Sequence, residues 1–280
     1  MTCALTEDVE QACADVRCEE AIELLERAVW EQSGNYNIYF KLGLCYSGGC
    51  RRHTLTSAEI ATAYLRQALR LLGPGGGVAR AAILDALGNT LASTAGGARV
   101  EALREAIGHQ EEAACIYSTS GEPDDWARAE FNLGNSCCEL AEAADESRYW
   151  REAVAHYEEA LRVRTREKNP ARHAALLENL GSAHRRLDAR CSIGYYRRAL
   201  QIYHHLSDPA RHAAIENNIG NAYLALPETD PRTALRNVTR ALRHFDRALR
   251  IKGQCAITEK NRAQAFSRLA RLSPKQAGEM

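Results

Sequence analysis

A chain of 280 residues exceeds one typical compact core, so its length predicts either two domains or one elongated array. Hydrophobic residues make up 45% and aromatic ones 6%, a balance rich in Ala and Leu that suits helices packed closely on helices. The 36 basic and 36 acidic side chains cancel, which argues against nucleic acid as a partner, and the lack of any apolar run of about 18 residues argues against a membrane span.

From the N-terminus, Met1 to Glu10 is acidic and has no apolar stretch. No secretory signal is expected, the predicted location is cytoplasmic, and the ten Cys read as thiols rather than a disulfide framework. Leu5 to Val16 reads as a degenerate first helix. Ala21, Leu25 and Ala28 then open a signature: Ala, a large residue four later, and Ala three after that. Residues so spaced share one helix face. The signature returns at Ala61–Leu65–Ala68, Ala106–Gln110–Ala113, Ala153–Tyr157–Ala160, Ser192–Tyr196–Ala199 and Ala241–Phe245–Ala248.

A second signature alternates with it, an aliphatic residue followed by Gly, at Gly43, Gly88, Gly134, Gly181 and Gly220. Pro123, Pro170 and Pro209 each stand eleven residues before the last three of these glycines. Two amphipathic helices therefore alternate, helix A with the Gly and helix B with the Ala-large-Ala pattern. Pro opens helix A, where a missing N–H is harmless. Gly and Ala let helix axes approach, and the large residue fills the gap. No single pair can bury its apolar stripe alone, so the pairs must stack.

The predicted repeats cover 4–33, 35–73, 78–119, 123–168, 170–207 and 209–253, an array over 1–256. Residues 257–280 are predicted to be a capping helix and tail. Gly73 to Gly77 reads as a flexible linker. Length beyond a minimal pair falls mostly between helix A and helix B, as in Leu91 to Glu101 and Pro227 to Thr239.

This pattern resembles the tetratricopeptide repeat, whose signature has Leu-Gly-x2-Tyr, then Ala-x3-Phe, then Pro. The Tyr slot here holds Tyr46, Leu91, Cys137, His184 and Tyr223. The resemblance covers roughly residues 18 to 253, with a period of 39 to 49 residues rather than the standard 34. Long repeats of this kind are similar to the kinesin light chain and to bacterial arrays fused to caspase-like protease or nucleotide-switch modules. Ile219-Gly220-Asn221-Ala222-Tyr223 is the closest match. The resemblance implies an all-α solenoid, a right-handed superhelix of about five to six helix pairs with a C-terminal capping helix. It implies a non-enzymatic scaffold that binds an extended peptide or a partner helix in a concave groove. The alternative is a regulatory sensor or adaptor subunit controlling a separate protease or nucleotide-switch enzyme.

In such a fold helix A lines the inner wall. Three residues before each Gly and one after it stand Asp85 and Asn89, Phe131 and Asn135, Glu178 and Ser182, Asn217 and Asn221. Two before the Gly stand Asn132, Asn179 and Asn218. Asn is a poor helix-interior residue, so its recurrence needs a reason. Carboxamides offer donors and an acceptor, and a ladder of them could clamp a peptide backbone. Arg128 and Arg185, with Arg172, Arg186 and Arg211, would favour an acidic peptide. The competing reading has these Asn hydrogen-bond a neighbouring helix and fix its packing.

Other chemistry is sparse. Cys18, Cys45, Cys50 and His53 lack the paired spacing of structural zinc sites, so no metal is expected. The Gly-rich run is not followed by Lys-Ser/Thr and follows no strand, so it is not a phosphate loop. No nucleophile–base–orienter set is visible, so neither enzymatic activity nor a cofactor is expected.

Overall fold

The computed structural model describes residues 18–48, 55–94, 96–205 and 208–272. The predicted first helix over Leu5 to Val16, with Cys50, His53 and the tail from Ser273, lies outside them. The described residues form twelve α-helices and no strand. None of these helices is long and apolar enough to cross a membrane.

The chain divides into two compact units, Met1–Glu146 and Ser147–Met280. The division falls inside the predicted repeat 123–168. The first unit holds α1 (Cys18–Glu31), α2 (Tyr36–Ser47), α3 (Leu55–Leu72), α4 (Gly77–Ala92), α5 (Arg99–Ser120) and α6 (Pro123–Ala144). The second holds α7 (Ser147–Val163), α8 (Pro170–Leu187), α9 (Ala189–His205), α10 (Pro209–Ala225), α11 (Pro231–Lys252) and α12 (Ala256–Leu272). Within each unit every helix packs on the next in sequence, and the A helices also touch the A helix one pair along: α2 with α4, α4 with α6, α8 with α10, α10 with α12.

The helix starts follow from local chemistry. Asn169 and Asp208 accept from the backbone N–H groups of Arg172 and Arg211 at 3.0 and 2.9 Å, and Pro170 and Pro209 follow them. The same Asx-Pro device starts α11. Asp230 accepts from Thr233 N at 2.9 Å and from Thr233 Oγ1 at 2.7 Å, and Pro231 comes next. Residues 231–239, expected to add loop length between the helices of a pair, are therefore the first turns of a 22-residue helix B. Gly73 to Gly77 forms a short turn. Gly73 and Gly77 take φ of +73° and +51°, and Arg80 Nη1 donates to the Gly73 carbonyl at 3.2 Å.

The Gly of helix A and the large residue of helix B meet within the pairs. A Cβ added at Gly43 would lie 2.5 Å from Leu65 Cγ, at Gly181 2.7 Å from Tyr196 Cδ1, and at Gly220 2.5 Å from Phe245 Cε1. At Gly88 it would lie 2.6 Å from Gln110 Cγ and 3.0 Å from the Ala106 carbonyl oxygen. These glycines provide room for the filler. Leu65, Tyr196 and Phe245 are almost wholly buried there, among the signature alanines.

Candidate interaction surface

The polar row three residues before the Gly works sideways, between A helices. Asp85 of α4 is 4% exposed. It accepts from Asn132 Nδ2 at 2.8 Å and from Arg128 Nε at 3.1 Å, both on α6. Arg128 also reaches the Tyr117 hydroxyl at 3.1 Å and Asp125 at 2.9 Å. Burial pushes the Tyr117 hydroxyl up to about 12, with Arg128 opposing and Asp85 adding to the rise. A guanidinium set between two carboxylates has its charge matched already.

In the second unit Glu178 of α8 accepts from Arg211 Nη1 of α10 at 3.2 Å. Burial raises the Glu178 carboxyl above its ordinary value against the pull of Arg211. Asn217 of α10, 9% exposed, accepts from Asn261 Nδ2 of α12 at 3.0 Å. Arg268 of α12 donates to the Leu224 carbonyl at 2.8 Å and pairs with Glu228.

Two candidates hold the contact within a pair. Asn89 accepts from Gln110 Nε2 at 2.9 Å, across the Gly88 contact. Arg185 opposes the rise that burial imposes on the Tyr196 hydroxyl, which sits 2.9 Å from Ser182 Oγ. Asn135 and Asn179 are half-buried.

Asn218 and Asn221 differ. Both are half-buried, and among the described residues neither makes a side-chain hydrogen bond. With Arg211, Ala214 and Ala225 they form one stripe of α10 at helical spacing. The same register of α8 presents Arg172, Ala175, Asn179, Ser182 and Arg186. The two A helices touch, so two adjacent stripes carry polar side chains next to small ones that leave a backbone room to approach.

The lateral partners follow from the repeat period. Arg128–Asp85, Asn132–Asp85 and Asn261–Asn217 are separated by 43, 47 and 44 residues, about one repeat. The exposed tie Arg66–Glu105 and the part-buried tie Arg99–Glu139 obey the same rule, at separations of 39 and 40. Complementary residues one period apart were the available signal.

Among the described residues no group of three or more His, Cys, Asp or Glu could hold a metal ion. One cavity of about 620 Å³ opens in the first unit, lined by Tyr46, Ser57, Thr62, Arg66, Thr90 and Thr94 among others.

Alternating helix pairs, Gly–filler contacts at Gly43, Gly88, Gly181 and Gly220, and polar ties between A helices define a helical repeat protein. Solved structures place it further. The chain is similar to the apo form of RapI (TM-score 0.61, 14% identity, 94% of this chain and 96% of that one). It is similar to the C-terminal part of a TPR repeat-containing protein from Cytophaga hutchinsonii (TM-score 0.57, 13% identity, 96% and 95%). A third likeness is to a signal transduction ATPase with numerous domains, carrying a tetratricopeptide repeat sensor, from Pyrococcus horikoshii (TM-score 0.58, 14% identity). There the match covers 94% of this chain and 41% of that longer one. No protein-family model and no curated protein matches the chain. The chain has the all-α tetratricopeptide-repeat fold.

Proposed function

We propose that this chain is a protein-interaction adaptor that binds an extended acidic peptide across α8 and α10. The observation that carries this reading is the pair of carboxamides on Asn218 and Asn221, partly open to solvent and, among the described residues, bonded to no other side chain, next to a polar stripe of the same register on α8. A carboxamide can donate to a peptide carbonyl and accept from its N–H without reading a side chain. Arg172, exposed on the α8 stripe, supplies charge-assisted bonds to carboxylates. The test is panning of a random peptide library on the full chain. The wild type should enrich acidic sequences, and Asn218→Ala/Asn221→Ala should lose them with a melting temperature changed by no more than about 2 °C. Unselective recovery, or equal enrichment by the variant, overturns the reading.

The likeness to a signalling ATPase with a repeat sensor favours one further role, in which the bound peptide belongs to an enzyme that the chain regulates. Activity of a co-purified ATPase or protease should then change on adding the chain. An activity that stays constant removes this role while leaving peptide binding intact.

A further inference from the structure

The whole-chain charge of zero hides a large asymmetry. Residues 1–146 carry 11 Lys and Arg against 23 Asp and Glu, a net of −12. Residues 147–280 carry 25 against 13, a net of +12. The asymmetry is sharpest on two B helices.

On α11 the arginines 232, 236, 240, 243, 247 and 250 are all exposed. Steps of four and three keep them on one face, over a rise of about 27 Å. Among the described residues none of the six is ion-paired. Arg236 reaches only the Thr233 hydroxyl at 3.4 Å, and Arg240 lies 5.7 Å from the Tyr223 ring centroid. The single carboxylate of the helix, Asp246, pairs with Arg262 of α12 at 2.6 Å. The opposite face, with Val238, Leu242 and Phe245, is buried, so the helix cannot turn its arginines elsewhere. Six like charges on one face repel one another, and among the described residues no carboxylate is paired with any of them.

On α1 Glu19, Glu23 and Glu31 are exposed and, among the described residues, unpaired, with the exposed Arg27 standing between the last two on the same face and leaving that face net acidic. Trp30 stands beside them 91% exposed. A large ring left this bare, rimmed by charge, is an interface feature. The three carboxylates cover a rise of about 18 Å, within the length of the arginine row. The ring offers its face to a guanidinium.

We propose that α1 of one copy docks along the arginine row of α11 in a second copy. The chain's own charge pattern selects this occupant. A nucleic acid would be attracted by one unit and repelled as strongly by the other. A lipid surface needs apolar anchors, and Leu235 is the one large apolar residue of α11 that is exposed. A second copy brings the matching acidic face with it. Guanidinium groups pair with carboxylates in bidentate geometry, which gives the contact direction as well as attraction.

Sedimentation velocity of the full chain, over a concentration series reaching about 100 µM, tests this at about 20 mM and about 500 mM salt. The wild type should sediment faster with rising concentration at low salt and revert to monomer at high salt. Arg236→Glu/Arg243→Glu/Arg247→Glu and Glu19→Lys/Glu23→Lys should each weaken association at least about tenfold. All five changes are on solvent-facing side chains, and circular dichroism should show both variants folded. Combining the two sets in one chain should restore association, because the charges are exchanged. A wild type that stays monomeric at low salt overturns the proposal. So does association that survives either reversal, or a combined variant that stays monomeric. Retention of a DNA duplex by the wild type at about 150 mM salt, lost in the arginine variant, would assign the row to nucleic acid instead.

Discussion

One contact in each unit shows the same junction built from different material, beside the Leu65 filler at Gly43 in the first unit. In the second, the space left by Gly181 and Gly220 is filled by Tyr196 and Phe245, rings buried among alanines. In the first, the space at Gly88 is filled by Gln110, which donates to Asn89 while its Oε1 is buried without a hydrogen-bond partner. The repeat demands volume at this position more than chemistry. A polar filler meets the demand only by leaving one acceptor unsatisfied, an arrangement that costs about 1–3 kcal/mol.

Removing the fillers should separate the units most. Phe245→Ala takes away a fully buried ring and should destabilise the second unit by about 3–5 kcal/mol. Gln110→Ala removes less volume and also deletes the unsatisfied oxygen, so about 1–2 kcal/mol is expected in the first. Hydrogen exchange of core amides reads each unit separately, and equal losses would end the contrast.

Next in size are the glycines themselves. Gly181→Ala places a methyl 2.7 Å from the Tyr196 ring, and overpacking should outweigh the helix gain by about 1 kcal/mol. Gly108 and Gly194 lie inside helices with nothing within 4 Å of an added Cβ. Ala at either should stabilise by about 0.5–1 kcal/mol. Urea midpoints that move the same way for all three would show that the close approach carries no weight.

Acid should act oppositely on two carboxylates. Burial raises Glu178, so its protonated form is favoured in the folded state. Its contribution is full below the ordinary carboxylate range and is lost as pH rises through the raised value. For Glu105 burial also pushes upward, but Arg66 and His109 outweigh it and the net shift is down. That contribution is present above the ordinary range and is lost as pH falls through the lowered value. Relative to wild type, Glu178→Gln should therefore gain stability as pH rises from acid to neutral, and Glu105→Gln should lose it. Thermal melts across that window check both signs.

The smallest effect belongs to the exposed pair Arg66–Glu105, 2.6 Å apart with both side chains more than 40% exposed. Arg66→Ala should cost less than about 1 kcal/mol, and the loss should vanish in high salt.

Much of the fold was legible because the repeat is written in residues whose size is the message. Gly43, Gly88, Gly181 and Gly220 marked the close contacts, and Leu65, Gln110, Tyr196 and Phe245 marked the fillers. Pro170 and Pro209 located helix starts to the residue. Pro231 carries the same message before a helix B, where the repeat signature, which sets Pro before helix A, predicts loop. The interaction surface was harder to read. Asn132, Asn217 and Asn218 look alike in a helical register, and only the neighbouring helix decides which is bonded. The opposed charges of the units were missed for a simpler reason: adding them over the whole chain returns zero.

The ties between A helices bear on how such a protein can evolve. One joint uses Asp85 with Arg128 and Asn132, another Glu178 with Arg211, another Asn217 with Asn261. The arginines stand at different registers in the first two joints, six residues before Gly134 and nine before Gly220, and the third joint pairs two carboxamides. Copying or transposing one repeat would set mismatched halves against each other and strand a buried carboxylate or carboxamide. Lengthening by duplication is therefore closed to this chain unless new joints arise at the same time. Change is confined to substitution in place.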